Sequence, residues 1–181
     1  MATVAYPELV ETARLRLRRW RHDDAAAAAA IWADAAVWDV LGAGHDRGRA
    51  QVAASSHSRQ AGHWDDHGFG FWLIEAAGQP GVVGWCGAWY PDFVPDLRGE
   101  IEIGWTLRRP FWGRGYATEA ARAAVATTFE HLEPARVISL IAPGNHRSAA
   151  VATRLGMRLA GDTRTERDLT LGVYELARPA G

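Results

Sequence analysis

A glycine-punctuated turn at the start of a long helical segment is the strongest constraint on this fold. The turn is Trp112-Gly113-Arg114-Gly115-Tyr116-Ala117, and the alternating segment 99–107 before it predicts a strand. After the turn, apolar residues recur at helical spacing as far as Pro134. A strand, a tight turn and a helix in this order leave unpaired backbone N–H groups at the helix start, where an anion can bind. Small residues at 113, 115 and 117 allow a phosphate group to approach those donors.

Other phosphate-binding turns fit this segment less well. A Walker loop requires a Lys, and all 20 basic residues of the chain are Arg. A dinucleotide fingerprint requires a third small Gly where the chain has Thr118, and Glu133 falls at the end of the helix rather than of a second strand. The remaining alternative is that Gly113 and Gly115 only make a tight turn.

Patterns along the rest of the chain predict a mixed α/β sheet. Residues 14–18 alternate with period two and predict a first, peripheral strand. Asp23 or Asp24 is expected to cap an Ala-rich helix running through Ile31 and Trp32, and a second helix is expected at 48–62. Further strands are predicted at 70–75, 82–90, 99–107, 137–141, from 157 and at 169–176, and a short helix capped by Asn145 is predicted to end at Gly156.

Composition excludes several classes of protein. Of the 181 residues 48% are apolar and 23% charged, which predicts one compact globular domain over residues 1–181. The net charge of −1 argues against a nucleic-acid partner. No segment reaches the length of a membrane span, and residues 1–11 lack the pattern of a secretory signal, so we expect a cytoplasmic protein. The single cysteine, Cys86, excludes an internal disulfide and a cysteine metal cluster.

Three segments resemble the GNAT superfamily of acetyl-CoA-dependent acyltransferases, and in particular its RimJ/RimL-like branch of ribosomal-protein N-terminal acetyltransferases. They occur in the order and spacing of that family, and the middle one is the most specific. The usual Gln or Arg at the head of the turn is Trp112 here. The segments are Thr12 to Arg18, Glu102 to Trp105 together with Phe111 to Ala120, and Asn145 to Ser148 together with Leu155 to Met157.

The resemblance implies a mostly antiparallel sheet of about seven strands flanked by about four helices, with splayed central strands. It implies acetyl-CoA as acyl donor, no metal, and a primary amine as acceptor, on a protein N-terminus or a small molecule. Dimerisation is common in the family, although no interface is visible in this sequence. The pantetheine arm would lie near 103–107 and 140–142, with Arg109 and Arg114 as further phosphate contacts. The implied cofactor-binding residues are Ile103, Trp105, Leu107, Trp112, Gly113, Arg114, Gly115, Tyr116, Ala117, Thr118, Asn145 and Ser148.

Transfer of an acyl group to an amine requires a proton acceptor, and two carboxylates are candidates. Strand alternation places Glu100 and Glu102 on one face, opposite four apolar residues, where mutual repulsion would raise one pKa. Glu102 is the first choice as general base and Glu100 the second; the alternative is a solvated strand face. The resemblance implies that Ser148 lies near the thioester sulfur as a proton donor, whereas helix capping is its structural alternative.

The preferred function is therefore direct acetyl transfer in a ternary complex, without a covalent enzyme intermediate. The alternative is a non-catalytic acyl-CoA-binding sensor or partner-binding protein that keeps the glycine turn. A nucleotide-linked oxidoreductase is disfavoured by the motif differences above. Most of the nine tryptophans are expected in the core, although some of those on the acceptor side could line a substrate pocket. Cys86 is expected to pack as a small apolar residue.

Overall fold

The computed structural model describes residues 5–41 and 48–179, which form one mixed sheet with helices packed on it. Of the N-terminal stretch 1–11 discussed above, residues 1–4 lie outside the described part. The strands are β1 (Leu9–Glu11), β2 (Leu15–Arg19), β3 (Phe71–Ala76), β4 (Val82–Trp89), β5 (Glu102–Leu107), β6 (Arg136–Ile141), β7 (Arg158–Arg164) and β8 (Thr170–Ala177). The helices are α1 (Ala25–Ala33), α2 (Ala35–Leu41), α3 (Arg49–His67), α4 (Tyr116–His131) and α5 (His146–Arg154).

The eight strands lie in the order β1-β2-β3-β4-β5-β6-β8-β7. The described neighbours pair antiparallel, except for β5 and β6, which are parallel. A parallel pair requires a crossover connection, and α4 provides it on one side of the sheet. The predicted α/β class and the meander β3-β4-β5 are thus confirmed, and residues 5–41 and 48–179 contain eight strands instead of about seven and five α-helices instead of about four.

The N-terminal half differs from the prediction at three places, one of which is the additional helix α2 between the two expected helices. The alternating strand is confirmed as β2, with Leu15 and Leu17 buried, but β1 pairs outside it, so β2 is not the peripheral strand. Three residues are too short a stretch for a period-two pattern to stand out. Asp24 occupies the N-cap position of α1 without making a side-chain cap; its carboxylate instead pairs with Arg18 at 2.7 Å.

The buried face of α4 carries small residues that allow close packing on the sheet. Ala120, Ala121 and Ala124 are fully buried in the largest core cluster. Thr128, also fully buried, hydrogen-bonds its hydroxyl to that of Tyr6 at 3.1 Å. Close contact along this face fixes the position of the first turn of α4 relative to the end of β5, from which the glycine turn departs.

Four of the nine tryptophans, fewer than predicted, lie in the buried core together with Cys86, and four more pack against it partly buried. Trp72 is fully buried, and Cys86 is an equally buried free thiol on β4. The other tryptophans with little exposure are Trp20, Trp32 and Trp64.

An aromatic cluster beside α3 contains a buried neutral histidine. His63 stacks on Trp89 with ring centroids 3.9 Å apart. Its Nδ1 donates to the Phe69 carbonyl at 2.8 Å, and its Nε2 accepts from the Tyr90 amide at 3.4 Å. Burial lowers the pKa of His63 to about 4, which outweighs the opposite effect of the carbonyl. The neutral ring satisfies both backbone groups, so protonation would break one of these hydrogen bonds.

Candidate functional site

The glycine turn leads into α4 in the conformation that the sequence predicts. Gly113 and Gly115 have φ of 74° and 79°, the left-handed region that favours glycine, and Gly115 is the N-cap of the helix. A Cβ at Gly113 would meet nothing within 4 Å, so the outer side of the turn is open. Within residues 5–41 and 48–179, no group accepts a hydrogen bond from the amides of Gly113, Arg114 or Gly115. The turn therefore offers unpaired donors beside an accessible space.

Thr12 and Arg14, just before β2, hydrogen-bond to the glycine turn and to the first turn of α4. The Arg14 side chain donates from Nε to Glu119 Oε2 at 2.7 Å and from Nη1 to the Arg114 carbonyl at 2.8 Å. The Thr12 hydroxyl donates to Glu119 Oε1 at 2.6 Å. These residues are 105 or more positions from Glu119 in the chain, and only the fold brings them together.

The start of α5 faces the glycine turn from the next strand. The Asn145 side-chain oxygen accepts from the Ser148 amide at 3.2 Å, so the predicted N-cap is confirmed. The Ser148 side chain is partly buried, and its hydroxyl makes no hydrogen bond to the described residues. Arg147 stacks its guanidinium over the Trp112 ring at 4.6 Å, and Trp112 Nε1 donates to the Leu107 carbonyl at 2.7 Å. A cation–π contact thus joins α5 to the head of the turn.

Strands β5 and β6 meet at their beginnings and separate beyond that point. Their register consists of the pair Glu102 and Ile138, supported by the Ile138 amide donating to the Ile101 carbonyl at 2.9 Å. The Ser139 hydroxyl donates to the Ile103 carbonyl at 2.6 Å. Toward Leu107 and Ile141 no further backbone pairing joins the two described strands, and we call this unpaired stretch between the glycine turn and α5 the opening.

Glu102 lies where this opening begins. On the neighbouring strand its register partner is Trp89. Burial raises the pKa of Glu102 to about 7, and a hydrogen bond from the Leu140 backbone opposes this shift. A carboxylate with this pKa is divided between its acid and base forms near neutral pH, which suits a general base.

Glu100 does not share the surface of Glu102. It precedes β5 instead of lying within it, and its carboxylate pairs with Arg136 at 2.6 Å. It lines a separate cavity of about 710 Å³, together with Tyr90 and Glu175, and Glu102 is not part of that lining. The expectation of one acidic face was therefore wrong, because the strand starts only at Glu102. The raised pKa of Glu102 comes from burial and not from repulsion by Glu100.

The other predicted binding residues divide between core and surface. Ile103 and Leu107 are buried and Trp105 is partly buried against the same core cluster, so their side chains point away from solvent. Tyr116 is likewise buried, whereas Ala117 and Thr118 are half-buried in the first turn of α4. Arg109 is exposed, and its backbone amide donates to Asp34 at 2.7 Å. The guanidinium of Arg114, which is exposed, lies 5.9 Å from the Phe111 ring centroid.

Residues 5–41 and 48–179 contain neither a helix suited to a membrane nor a cluster of metal ligands. None of their helices has the length and apolar character required to cross a bilayer. In the same part of the chain, no three His, Cys, Asp or Glu side chains come together where they could hold a metal ion.

The donors, the opening and the carboxylate fit an acyl-CoA better than a free nucleotide. The amides of the glycine turn suit a diphosphate, and beyond Glu102 the facing backbone groups of β5 and β6 are not paired with each other. A mixed sheet with these features is the architecture of acyl-CoA-dependent acyltransferases.

The comparison with family models agrees. Residues 14–158 match the model described as acetyltransferase (GNAT) domain, and the chain belongs to this family. Among solved structures, an acetyltransferase from Agrobacterium tumefaciens str. C58 superimposes with a TM-score of 0.78 at 28% identity, over 94% of each chain. The RimL ribosomal L7/L12 alpha-N-protein acetyltransferase in complex with coenzyme A superimposes with a TM-score of 0.70 at 18% identity, over 94% of this chain and 98% of that one. At this identity, the second match shows the fold alone.

A curated relative, the Bacillus subtilis (strain 168) protein YkkB, is 33% identical over 109 residues. The match covers 60% of this chain and 62% of YkkB. The chain thus spans less than two thirds of the length of the first curated relatives it matches.

Sequence reasoning missed Arg14, Glu119 and Arg147 as parts of the site. Arg14 and Glu119 both stand within the segments that resemble the family, but no spacing rule connects positions 105 residues apart. Arg147 lies between Asn145 and Ser148, and only its stacking on Trp112 distinguishes it from an ordinary exposed arginine. Contacts of this kind depend on how α5 and the glycine turn approach each other in space.

Proposed function

We propose that this chain catalyses transfer of the acetyl group of acetyl-CoA to a primary amine. The observation that carries the proposal is Glu102, a carboxylate with a pKa of about 7 at the start of the opening between β5 and β6. We further propose one GNAT domain over residues 1–181, since the eight strands form one sheet. A cytoplasmic location belongs to the same proposal.

The proposed cofactor contacts are mainly backbone groups. Amides from Gly113 to Thr118 bind the diphosphate, aided by the positive end of the α4 dipole. Because the side chains of Ile103, Trp105 and Leu107 pack toward the core, the strand contributes its main chain to the pantetheine slot. Arg147 and Arg114 provide cations near the turn, and Asn145 orients the first turn of α5. When bound, acetyl-CoA supplies an activated thioester.

In the proposed reaction Glu102 accepts a proton from the acceptor ammonium, directly or through a water molecule, and thereby produces the neutral amine that attacks the thioester. The amine nitrogen forms the new bond to the acetyl carbon while the carbon–sulfur bond breaks. The proton left in excess on that nitrogen passes to the departing sulfur, so the products are the amide and the free thiol of coenzyme A, and Glu102 then releases its proton to solvent. Ser148 donates a hydrogen bond to the departing thiolate, since its hydroxyl is free of partners among the described residues. Glu102 is preferred to Glu100 as base because Glu100 is ion-paired with Arg136 in another cavity.

The acceptor we propose is the primary amine of a protein N-terminus or of a small molecule. The sequence resemblance to the RimJ/RimL-like branch motivates the first, and fold alone does not fix the substrate. Homodimerisation is proposed on family resemblance only.

The decisive experiment measures thiol release from acetyl-CoA with a library of peptides and small amines, together with intact-protein mass spectrometry. Direct transfer predicts acceptor-dependent thiol release and no acetylated enzyme after mixing with acetyl-CoA alone. Accumulation of an acetyl-enzyme would contradict direct transfer. Binding of acetyl-CoA without turnover of any acceptor would instead favour the sensor function.

A further inference from the structure

The first turn of α4 carries a carboxylate at the end of the helix where an anion is expected to bind. Glu119 lies four residues after Gly115, and only 17% of its side chain is exposed. Despite this burial, hydrogen bonds from Thr12 and Arg14 lower the pKa of Glu119, so the group is ionised at neutral pH. An unpaired negative charge at this position would repel a diphosphate held on the same turn.

Arg14 neutralises that charge with two atoms of its guanidinium. Nε lies 2.7 Å and Nη2 lies 2.6 Å from Glu119 Oε2, and the Arg14 backbone amide donates to Oε1 at 2.9 Å. A charge-assisted pair with this number of donors is among the stronger side-chain interactions. The pair connects the start of β2 to the first turn of α4, and the carboxylate is held on the inner side of the turn.

The third guanidinium nitrogen orients the glycine turn itself. Arg14 Nη1 donates to the Arg114 carbonyl at 2.8 Å. In a planar trans peptide the C=O and the following N–H point in opposite directions. A carbonyl of Arg114 held toward Arg14 therefore directs the amide of Gly115 away from Arg14.

The Arg14 guanidinium also lies close to Gly115 and to the Tyr116 ring. It lies 4.8 Å from the Tyr116 ring centroid, and a Cβ at Gly115 would be 3.3 Å from Nη2. The absence of a side chain at Gly115 therefore allows both the left-handed backbone and the approach of Arg14.

We propose that Arg14 is a positioning residue for the diphosphate of the cofactor. It acts through two groups, the Glu119 carboxylate that it neutralises and the Arg114 carbonyl that it orients, and it does not need to touch the cofactor. The proposal rests on the proposed function, because it concerns the same acyl-CoA site. It predicts that the loss of Arg14 affects the phosphate-bearing part of the donor and spares the thioester chemistry at Glu102.

The test compares two acetyl donors on the Arg14→Gln variant: acetyl-CoA and S-acetylpantetheine, which has the thioester arm but no diphosphate. Expected is a rise in the Kd and KM for acetyl-CoA of at least about tenfold, with kcat near that of the wild type. For S-acetylpantetheine, kcat/KM should stay within about twofold of the wild type. Arg16→Gln is the matched control, because Arg16 lies two residues further along the chain, in β2, is exposed, and lies 3.8 Å from its partner Glu75; neither donor should be affected.

Two further variants separate charge from orientation. Arg14→Gln combined with Glu119→Gln removes the unpaired carboxylate, so part of the lost acetyl-CoA affinity should return. Arg14→Lys keeps the charge without the planar fork and should fall between the wild type and Arg14→Gln. This variant replaces Arg14→Gln in the donor comparison if Arg14→Gln does not fold.

An equal loss with both donors would show a general structural effect and overturn the proposal, as would an unchanged affinity for acetyl-CoA. Titration of the wild type with coenzyme A tests the proposed function separately from the proposed role of Arg14. Failure of the wild type to bind would overturn the proposed function and this inference together, whereas wild-type binding with no effect of Arg14→Gln would overturn this inference alone.

Discussion

The pKa of Glu102 predicts a specific pH profile for the proposed reaction. With a pKa of about 7, the ionised fraction is about one half at pH 7, about one tenth at pH 6 and about one hundredth at pH 5. A carboxylate at its ordinary value of about 4.5 would still be roughly three quarters ionised at pH 5. If Glu102 is the base, kcat falls about tenfold per pH unit below its pKa.

The assay must separate Glu102 from the acceptor, which also loses a proton. Profiles of kcat are therefore measured with two acceptors whose amines differ by about two pKa units. If the falling limb of the kcat profile reports protonation of Glu102, its midpoint stays near pH 7 with both acceptors. If the limb reports protonation of the acceptor, its midpoint shifts with the pKa of the amine. A limb that follows the acceptor would refute the role of Glu102.

Glu102→Gln should lower kcat by about 10²- to 10⁴-fold, the usual contribution of a general base, with little change in acetyl-CoA affinity. The same variant should be more stable than the wild type at high pH. Folded Glu102 keeps its proton up to about pH 7, while in the unfolded chain the proton is lost near 4.5. The free energy of unfolding of the wild type therefore falls as pH rises through this window, and the advantage of Gln grows from none at pH 4 to about 3 kcal/mol at pH 8.

Urea denaturation at both pH values measures this difference. Glu100→Gln is the comparison that decides between the two carboxylates, because it removes a partner of Arg136 outside the opening. Unchanged turnover in Glu102→Gln, or a loss of turnover confined to Glu100→Gln, would contradict the assignment of Glu102 as the general base.

Three other predictions concern the turn, a buried histidine and the proposed acid. Gly115→Ala should cost about 1 kcal/mol of stability and weaken acetyl-CoA binding, because its φ is 79° and a Cβ would press on Arg14. Calorimetry against Gly78→Ala, a similar strain at φ 68° with nothing within 4 Å, checks whether the effect on binding is specific. Because the folded pKa of His63 is about 4 and its ordinary value 6.5, the wild type should lose about 3 kcal/mol of stability as pH falls from 6.5 to 4, and His63→Gln should lack this loss in urea titrations. Ser148→Ala should lower kcat about tenfold at unchanged KM for acetyl-CoA, since a hydroxyl is a weak acid; an unchanged kcat would leave water as the donor.

Local patterns predicted the elements that surround the site. The glycine turn, the helix after it, and the N-cap Asn145 all depend on backbone conformations and bonds between residues close in sequence. The alternation of Ile101, Ile103 and Leu107 likewise predicted which side of the strand is buried. The predicted start of β5 was wrong. The period-two pattern continues through Glu100, whereas pairing with β4 begins only at Glu102. Where a strand ends depends on which residues of the neighbouring strand pair with it. The sequence of one strand does not contain this information.

The amino-acid sequence by itself determined the class of this protein: a strand, a glycine turn and a helix, with the residues of the GNAT family at their positions. Only the tertiary structure decided the electrostatics of the site. It desolvated one of two nearby glutamates and paired the other with Arg136, and it joined Arg14 to Glu119 across 105 residues. The physical reason is that turns and caps arise from interactions within a few residues, whereas desolvation and ion pairing depend on which distant segments surround a charge.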